Sequence, residues 1–244
     1  MILKTGYSLS AGVALVGAIS LAGCTQAPPP AAPPPPPPVV VVPPQPQPPR
    51  GAQTNLPVPQ ADASGVRQTV NAGISRDQAT WNLRSAFNVA ALNCMQAQHS
   101  QILENYRAFL TDNVKRLAAV NKALDQEFKT RYGKGSVARR ETYMTQVYNY
   151  FALPPTLPAF CDAALAVGNQ ARTVPAAGLD AFAARSLPEI ERVFLEFFRS
   201  YEQYRVDLAG WQMRYTPSSL PAPMAARSPV DTLPVQAAAQ PLAK

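Results

Sequence analysis

The sequence predicts an all-α fold, an antiparallel bundle of four or five helices, preceded by a proline-rich extended spacer and followed by a disordered tail. Between about residues 75 and 215, apolar residues recur at steps of three and four, without a convincing run of strand-like alternation. The prolines concentrate outside that region: residues 27–60 hold 16 of the 27, and residues 216–244 hold six. Because proline lacks the backbone donor that helices and sheets need, both flanks are expected to stay outside the bundle.

The first two helical segments are predicted from a cap and from their apolar faces. Ser75 and Gln78 have the spacing of a capping box, which marks a helix start. The apolar face of that helix consists of Leu83, Phe87, Ala90 or Ala91, and Cys94. A second segment near residues 100–130 has a polar gap at Asn113 and is expected to stop at Gly133.

Prolines separate the third predicted helix from the fourth. A third helix is predicted over about 137–151, where Leu153-Pro154-Pro155 ends it. Thr156 is expected to cap a fourth helix that ends near Gly168, and a short turn is expected over Leu179–Arg185.

The last helix has the clearest pattern. Ser186-Leu187-Pro188-Glu189 reads as a capping box with proline in the first turn. A heptad seam then continues through Ile190, Phe194, Phe197, Tyr201, Tyr204, Leu208, Trp211 and Tyr215. Such aromatic stripes are usually core; the alternative is that part of this one is an exposed partner groove or an oligomer seam.

Residues 1–24 have the features of a bacterial export signal. Lys4 precedes an uncharged, largely apolar stretch at 11–22, which is shorter than the roughly 20 residues of a membrane span. Leu21-Ala22-Gly23-Cys24 resembles the lipobox of bacterial lipoproteins. The resemblance implies cleavage before Cys24, lipid on that cysteine and attachment to a membrane. Because residue 26 is Gln and not Asp, the resemblance further implies an outer-membrane lipoprotein facing the periplasm, with the inner membrane or the cell surface as alternatives.

The layout that follows has four parts. They are a signal peptide (1–23), a lipidated N-terminus and spacer (24–74), a helical domain (75–215) and the tail (216–244). Residues 27–49 are expected to form a polyproline II rod, which at about 3.1 Å per residue reaches roughly 70 Å. Such a rod would hold the domain away from the lipid surface, although Val39–Val42 could instead pair with a partner's sheet edge.

The two cysteines that remain after lipidation, Cys94 and Cys161, are expected to pair in an oxidising compartment. A metal site built from Cys94 and His99, the only histidine, lacks further ligands, and there is no C-x-x-C motif. We therefore expect no metal site and no cofactor.

No catalytic motif is found, so no catalytic residue is predicted. A single histidine leaves little room for a nucleophile triad, and the glycine before Gly133-Lys134 that a phosphate-binding loop needs is absent. The carboxylate pairs Glu189 with Glu191, and Glu196 with Glu202, are interpreted as solvated ion-pair partners on a helix surface.

One surface feature stands out at the turn between the second and third helices. Residues 129–140 contain no acid and hold five cations, Lys129, Arg131, Lys134, Arg139 and Arg140. The hypothesis is an anion-binding tip that contacts phosphate or carboxylate groups of lipid headgroups, lipopolysaccharide or peptidoglycan, with Tyr132 as an apolar face. The simpler interpretation is a solvated hairpin end.

The expected function is that of a non-enzymatic envelope lipoprotein, an interaction or structural module whose partners are the membrane, another envelope protein or peptidoglycan. The formal charge of +7 is too mild and too dispersed for a nucleic-acid binder. Two alternatives stay open: an enzyme of cell wall or lipid that uses Glu residues, and a carrier for an apolar ligand.

Overall fold

The computed structural model describes residues 41–215, which form an all-α bundle and confirm the predicted fold class. Six helices follow one another: α1 (Arg76–Asn93), α2 (Gln101–Asp112), α3 (Val114–Tyr132), α4 (Ser136–Phe151), α5 (Leu157–Ala171) and α6 (Leu179–Tyr215). Within the described residues, β-type pairing is limited to one isolated bridge, between Ala61 and Arg67. The predicted signal peptide with Cys24, the first part of the spacer and the tail lie outside these residues.

Helix α1 occupies the centre of the bundle and contacts each of the other five helices. The capping box is confirmed, since the Ser75 hydroxyl accepts from the Gln78 amide while the Gln78 side chain accepts from the Ser75 amide. Its predicted apolar face is buried at Leu83, Phe87 and Ala90.

The second predicted segment is two helices, because the chain breaks at Asn113. This buried residue has φ −112°, and its side-chain amide donates to the Phe109 carbonyl at 2.9 Å. An asparagine side chain that bonds the backbone in this way competes with helix continuation. Gly133, with φ 55°, then ends α3 as predicted.

Two predicted helix starts are wrong in detail. Thr156 precedes α5, but its hydroxyl donates to the Leu153 carbonyl and does not cap the helix. Ser186 does not start a helix at all: it is buried inside α6, a continuous helix of 37 residues that contains Pro188. An interior proline costs about 3 kcal/mol. Burying Phe182 and Leu187 recovers about 2 kcal/mol each, so the helix continues.

The aromatic seam of α6 is core along its first part and partly covered along its second. Its first five members are fully or almost fully buried: Ile190, Phe194, Phe197, Tyr201 and Tyr204. Its last three members, Leu208, Trp211 and Tyr215, are only half-buried.

Residues 43–74, which the sequence predicts to be spacer, lie against the bundle. The Trp211 indole donates to the Pro43 carbonyl at 2.8 Å. The Tyr201 hydroxyl donates to the Gln53 carbonyl at 2.6 Å and accepts from the Leu56 amide at 3.0 Å. A proline-rich chain leaves its carbonyls without internal partners, so the donors on α6 can bind them. The predicted spacer boundary at residue 74 is therefore too late.

A disulfide joins two parts of the bundle. The sulfur atoms of Cys94 and Cys161 are bonded at 1.99 Å, which confirms the predicted pair and ties the end of α1 to α5.

Among residues 41–215, no single helix is long and apolar enough to cross a membrane. Val114–Phe151 together with Pro154–Ala171 meets that requirement only as a pair bent by 45°.

Candidate functional site

The predicted basic tip lies at the short turn Gly133–Gly135 between α3 and α4. Four of its five cations are exposed there, namely Lys129, Arg131, Lys134 and Arg139. Arg140 differs, because its Nε lies 2.9 Å from Asp125 Oδ1 and its guanidinium also bonds Asn121. Arg140 therefore braces the α3–α4 hairpin, which corrects its assignment to the anion-binding tip.

Two of the exposed arginines converge on one aromatic ring. The guanidinium carbon of Arg131 lies 5.4 Å from the centroid of the Tyr132 ring, and that of Arg139 lies at 5.8 Å. The same ring packs against buried Phe128 at 5.7 Å, which fixes it on the bundle. These are cation–π contacts, which position a charged group without neutralising it.

The tip cations have no ion pair within the part of the chain that the structure describes. No carboxylate oxygen of residues 41–215 approaches Lys129, Arg131, Lys134 or Arg139 within 4.0 Å. Two guanidinium groups beside one ring repel each other, and an anion from outside would relieve that repulsion.

A pocket of about 380 Å³ opens beside Tyr132. Arg131 and Arg139 line it together with residues 69, 70 and 72–74 of the loop formed by residues 65–74. Neutral groups that can form hydrogen bonds also line the pocket, and they are Gln78, Thr142, Tyr143 and Gln146. The pocket thus combines fixed charges with neutral polar groups in a concave surface.

Glu127 is the acid that lines this pocket, and α1 holds it in place. Its Oε2 accepts from the Ser75 hydroxyl at 2.9 Å, beside the capping box. Tyr143 next to it donates to Asn82 Oδ1 at 2.7 Å, and burial raises the pKa of the phenol. The tyrosine therefore stays neutral, with its oxygen able to accept a further bond.

A second pocket of about 450 Å³ lies on the other side of loop 65–74, against α6. Glu191, only 9 % exposed, lines this pocket. Its carboxylate accepts from the Thr69 hydroxyl at 2.5 Å and from the Asn71 amide. Burial raises the pKa of Glu191, since both bonds only partly replace the lost water. Arg67 from the same loop forms a bidentate pair with Glu202 at 2.6 and 2.9 Å.

A chain of hydrogen bonds connects the two pockets. From Glu191 it passes to Asn71, whose side-chain oxygen accepts from Asn82 at 2.8 Å, and then to Tyr143. The wall between the pockets is therefore fixed to both α1 and α4.

Sequence reasoning missed the burial of Glu191, which was interpreted as a solvated surface acid. The other three acids of those pairs are at least partly exposed, and Glu196 lies 3.9 Å from Arg192. A signal was present, because Glu191 precedes Phe194 by three residues and Phe198 by seven, on the buried face of α6.

Within residues 41–215, His99, Cys94 and Cys161 do not form a metal centre. Cys94 is consumed by the disulfide, and His99 Nε2 lies 2.7 Å from Asp162 Oδ1. Over residues 41–215, no group of three or more metal-binding side chains occurs.

Comparison of the chain with protein-family models, curated proteins and solved structures found no match. In the second pocket, Glu191 and Arg67 hold loop 65–74 against α6, while Arg199 forms no ion pair within the described residues. In the tip pocket, two arginines without such an ion pair, Arg131 and Arg139, are positioned on the same aromatic ring. The tip pocket is the better candidate for binding a partner.

Proposed function

We propose that this chain is a lipid-anchored lipoprotein of a bacterial envelope, which binds an anionic partner through the tip pocket. The arginines on either side of Tyr132 in sequence carry the proposal. They are positioned by the ring, line a concave surface and form no ion pair with a carboxylate of the described residues. Such groups gain most from a ligand that brings its own negative charge.

The anchor half of the proposal rests on the lipobox at Cys24. Two or three acyl chains hold a protein firmly on a bilayer, whereas one binds only marginally. With residues 43–74 on the bundle, the part of the predicted spacer that remains is 27–42, that is 42 − 27 + 1 = 16 residues. A polyproline II segment of that length would span roughly 50 Å, at about 3.1 Å per residue.

A binding role is better supported than the carrier alternative. The α6 side of the core is filled by rings in contact, with Tyr150 stacked on Phe194 at 4.4 Å and Phe151 on Phe160 at 5.8 Å. An apolar ligand would have to displace these contacts.

The enzyme alternative keeps one supporting observation, the buried carboxyl of Glu191 beside a pocket. Raised carboxyl pKa values occur at catalytic acids. However, both oxygens of Glu191 already accept bonds from loop 65–74, which gives the burial a structural cause. Altered wall fragments in cells that carry Glu191→Gln, with normal protein levels, would favour the enzyme.

The anchor is tested by labelling cells with a fatty-acid probe and separating their membranes. We expect the native chain to carry label and to sediment with the outer membrane. A Cys24→Ser chain should lose the label and become extractable without detergent. Label that persists in Cys24→Ser would overturn the anchor.

The tip is tested by crosslinking in intact cells. We expect Arg131→Glu with Arg139→Glu to lose the crosslinked partner. The matched control reverses two exposed lysines of α3, the helix that carries Arg131, with Lys115→Glu and Lys122→Glu, and should keep the partner. Equal loss in both variants would show that overall charge, and not the tip, determines binding.

A further inference from the structure

We propose that the partner of the tip pocket is the carboxylate-bearing glycopeptide polymer of the cell wall, and not a lipid surface. The proposal rests on the proposed function and names the chemistry that the pocket would recognise. Position, charge and shape each support it.

The position of the tip relative to the membrane-side segment is the first argument. The tip turn precedes α4, and the turn Pro154–Thr156 follows it. The segment Pro49–Gly51, which leads back toward Cys24, packs against Pro154–Thr156. A helix of 16 residues separates these two ends by about 24 Å. The tip turn therefore lies at the opposite end of α4 from Pro49–Gly51.

The mixed charge of the pocket is the second argument. An anionic lipid surface attracts clusters of lysine and arginine, and an acid among them weakens that attraction. Here Glu127 lines the same pocket as Arg131 and Arg139. Wall peptides carry free carboxylates together with amines, so they can satisfy both signs of charge at once.

The geometry of the arginines is the third argument. A guanidinium binds a carboxylate through two parallel hydrogen bonds, which a lysine cannot reproduce. Because both guanidinium groups already lie within 6 Å of the Tyr132 centroid, the ring positions them and is not itself the ligand's stacking surface. Thr142 and Gln146 can bond the hydroxyl and amide groups of a glycopeptide.

The test is co-sedimentation with purified wall sacculi, using a chain with Cys24→Ser so that lipid does not contribute. We expect the chain to pellet, and Arg131→Glu with Arg139→Glu to weaken binding more than about tenfold, because two charge-assisted contacts are lost. Arg131→Lys with Arg139→Lys, which keeps charge but loses the paired bonds, should also weaken it. Lys115→Glu with Lys122→Glu should bind within about twofold of the parent, the range expected from long-range charge alone.

Two further arms identify the ligand. Sacculi whose carboxylates have been converted to amides should no longer retain the chain. Amidation leaves phosphate groups unchanged, so binding to a phosphate-bearing polymer attached to the sacculi would persist. Vesicles of phosphatidylethanolamine and phosphatidylglycerol should not bind the Cys24→Ser chain.

The possible failures are distinguishable. Tip-dependent binding to vesicles but not to sacculi would overturn the wall assignment and leave an anionic partner in place. Binding to amidated sacculi would overturn the carboxylate assignment. If no variant changes the crosslinked partner in cells, the proposed function itself fails.

Discussion

Two arginine sites in this bundle use their charges in opposite ways. Arg116, at the junction of α1, α3 and α6, lies 2.6 Å from Asp77 and 2.8 Å from Asp180. Hydrogen bonding to Asp180 raises the pKa of its guanidinium. Arg131 and Arg139 at the tip contact a tyrosine ring and no carboxylate of the described residues. The difference suggests that one site holds the fold and the other is available to a ligand.

The largest expected effect is the loss of stability when the disulfide is removed. Replacing Cys94 and Cys161 by alanine opens a loop of 161 − 94 + 1 = 68 residues. The chain-entropy model gives such a crosslink about 4 kcal/mol of stability. Chemical denaturation should show that loss, while sacculus binding persists wherever the protein remains folded. A stability equal to that of the parent would contradict the model.

Arg116→Met should cost about 2 kcal/mol, because it leaves two partly buried carboxylates without their cation. The midpoint of denaturation measures the effect. Lys115→Met, at the exposed neighbouring position, is the control and should be close to neutral. If Arg116→Met were equally neutral, Arg116 would not stabilise the fold, and the contrast between the two arginine sites would fail.

Tyr201→Phe should cost about 1 kcal/mol and loosen the segment that contains Gln53 and Leu56, because the hydroxyl joins both to α6. Faster proteolysis near residues 50–56 reports the loosening. Tyr204→Phe is the control, since its hydroxyl makes no hydrogen bond within the described residues. Unchanged proteolysis would mean that apolar contacts alone hold the segment.

Local signals predicted the parts of the fold that depend on neighbours in sequence. The Ser75 cap and the stop at Gly133 follow from backbone chemistry, and the disulfide follows from the expected compartment. The helix start predicted at Pro188 was wrong, because burial along the whole face of α6 outweighs one lost hydrogen bond. The sequence did not predict that residues 43–74 pack on the bundle. The side chains that donate hydrogen bonds to their carbonyls lie on α6, more than 100 residues away along the chain.

The candidate site was predicted in the same uneven way. The cluster of cations was visible in sequence, but the pairing of Arg140 with Asp125 depends on how α3 and α4 pack. The burial of Glu191 depends on loop 65–74, which carries no periodic signal of its own. Tertiary contacts decide which charges are available, and composition alone cannot report them.

Glu191 offers a pH test of the scaffold around the second pocket. Its raised pKa means that the folded state holds the proton more tightly than the unfolded state. The stability that it contributes is therefore greatest in acid and is lost as the pH rises above its ordinary value of 4.5. Compared with Glu191→Gln, the native protein should lose stability over that range. Glu189→Gln serves as the control, and parallel curves for all three proteins would contradict the burial.

The smallest expected effect on stability belongs to the tip itself. Arg131→Ala with Arg139→Ala removes two cation–π contacts, each worth about 0.5–1 kcal/mol at an exposed site. It also removes the repulsion between two like charges, so the two changes offset each other and the free energy of unfolding should stay within about 0.5 kcal/mol. Added salt should weaken the repulsion and so raise the stability of the parent relative to that of the variant. A loss as large as that of Arg116→Met would mean that the tip arginines hold the fold, and the reason for assigning them a ligand would disappear.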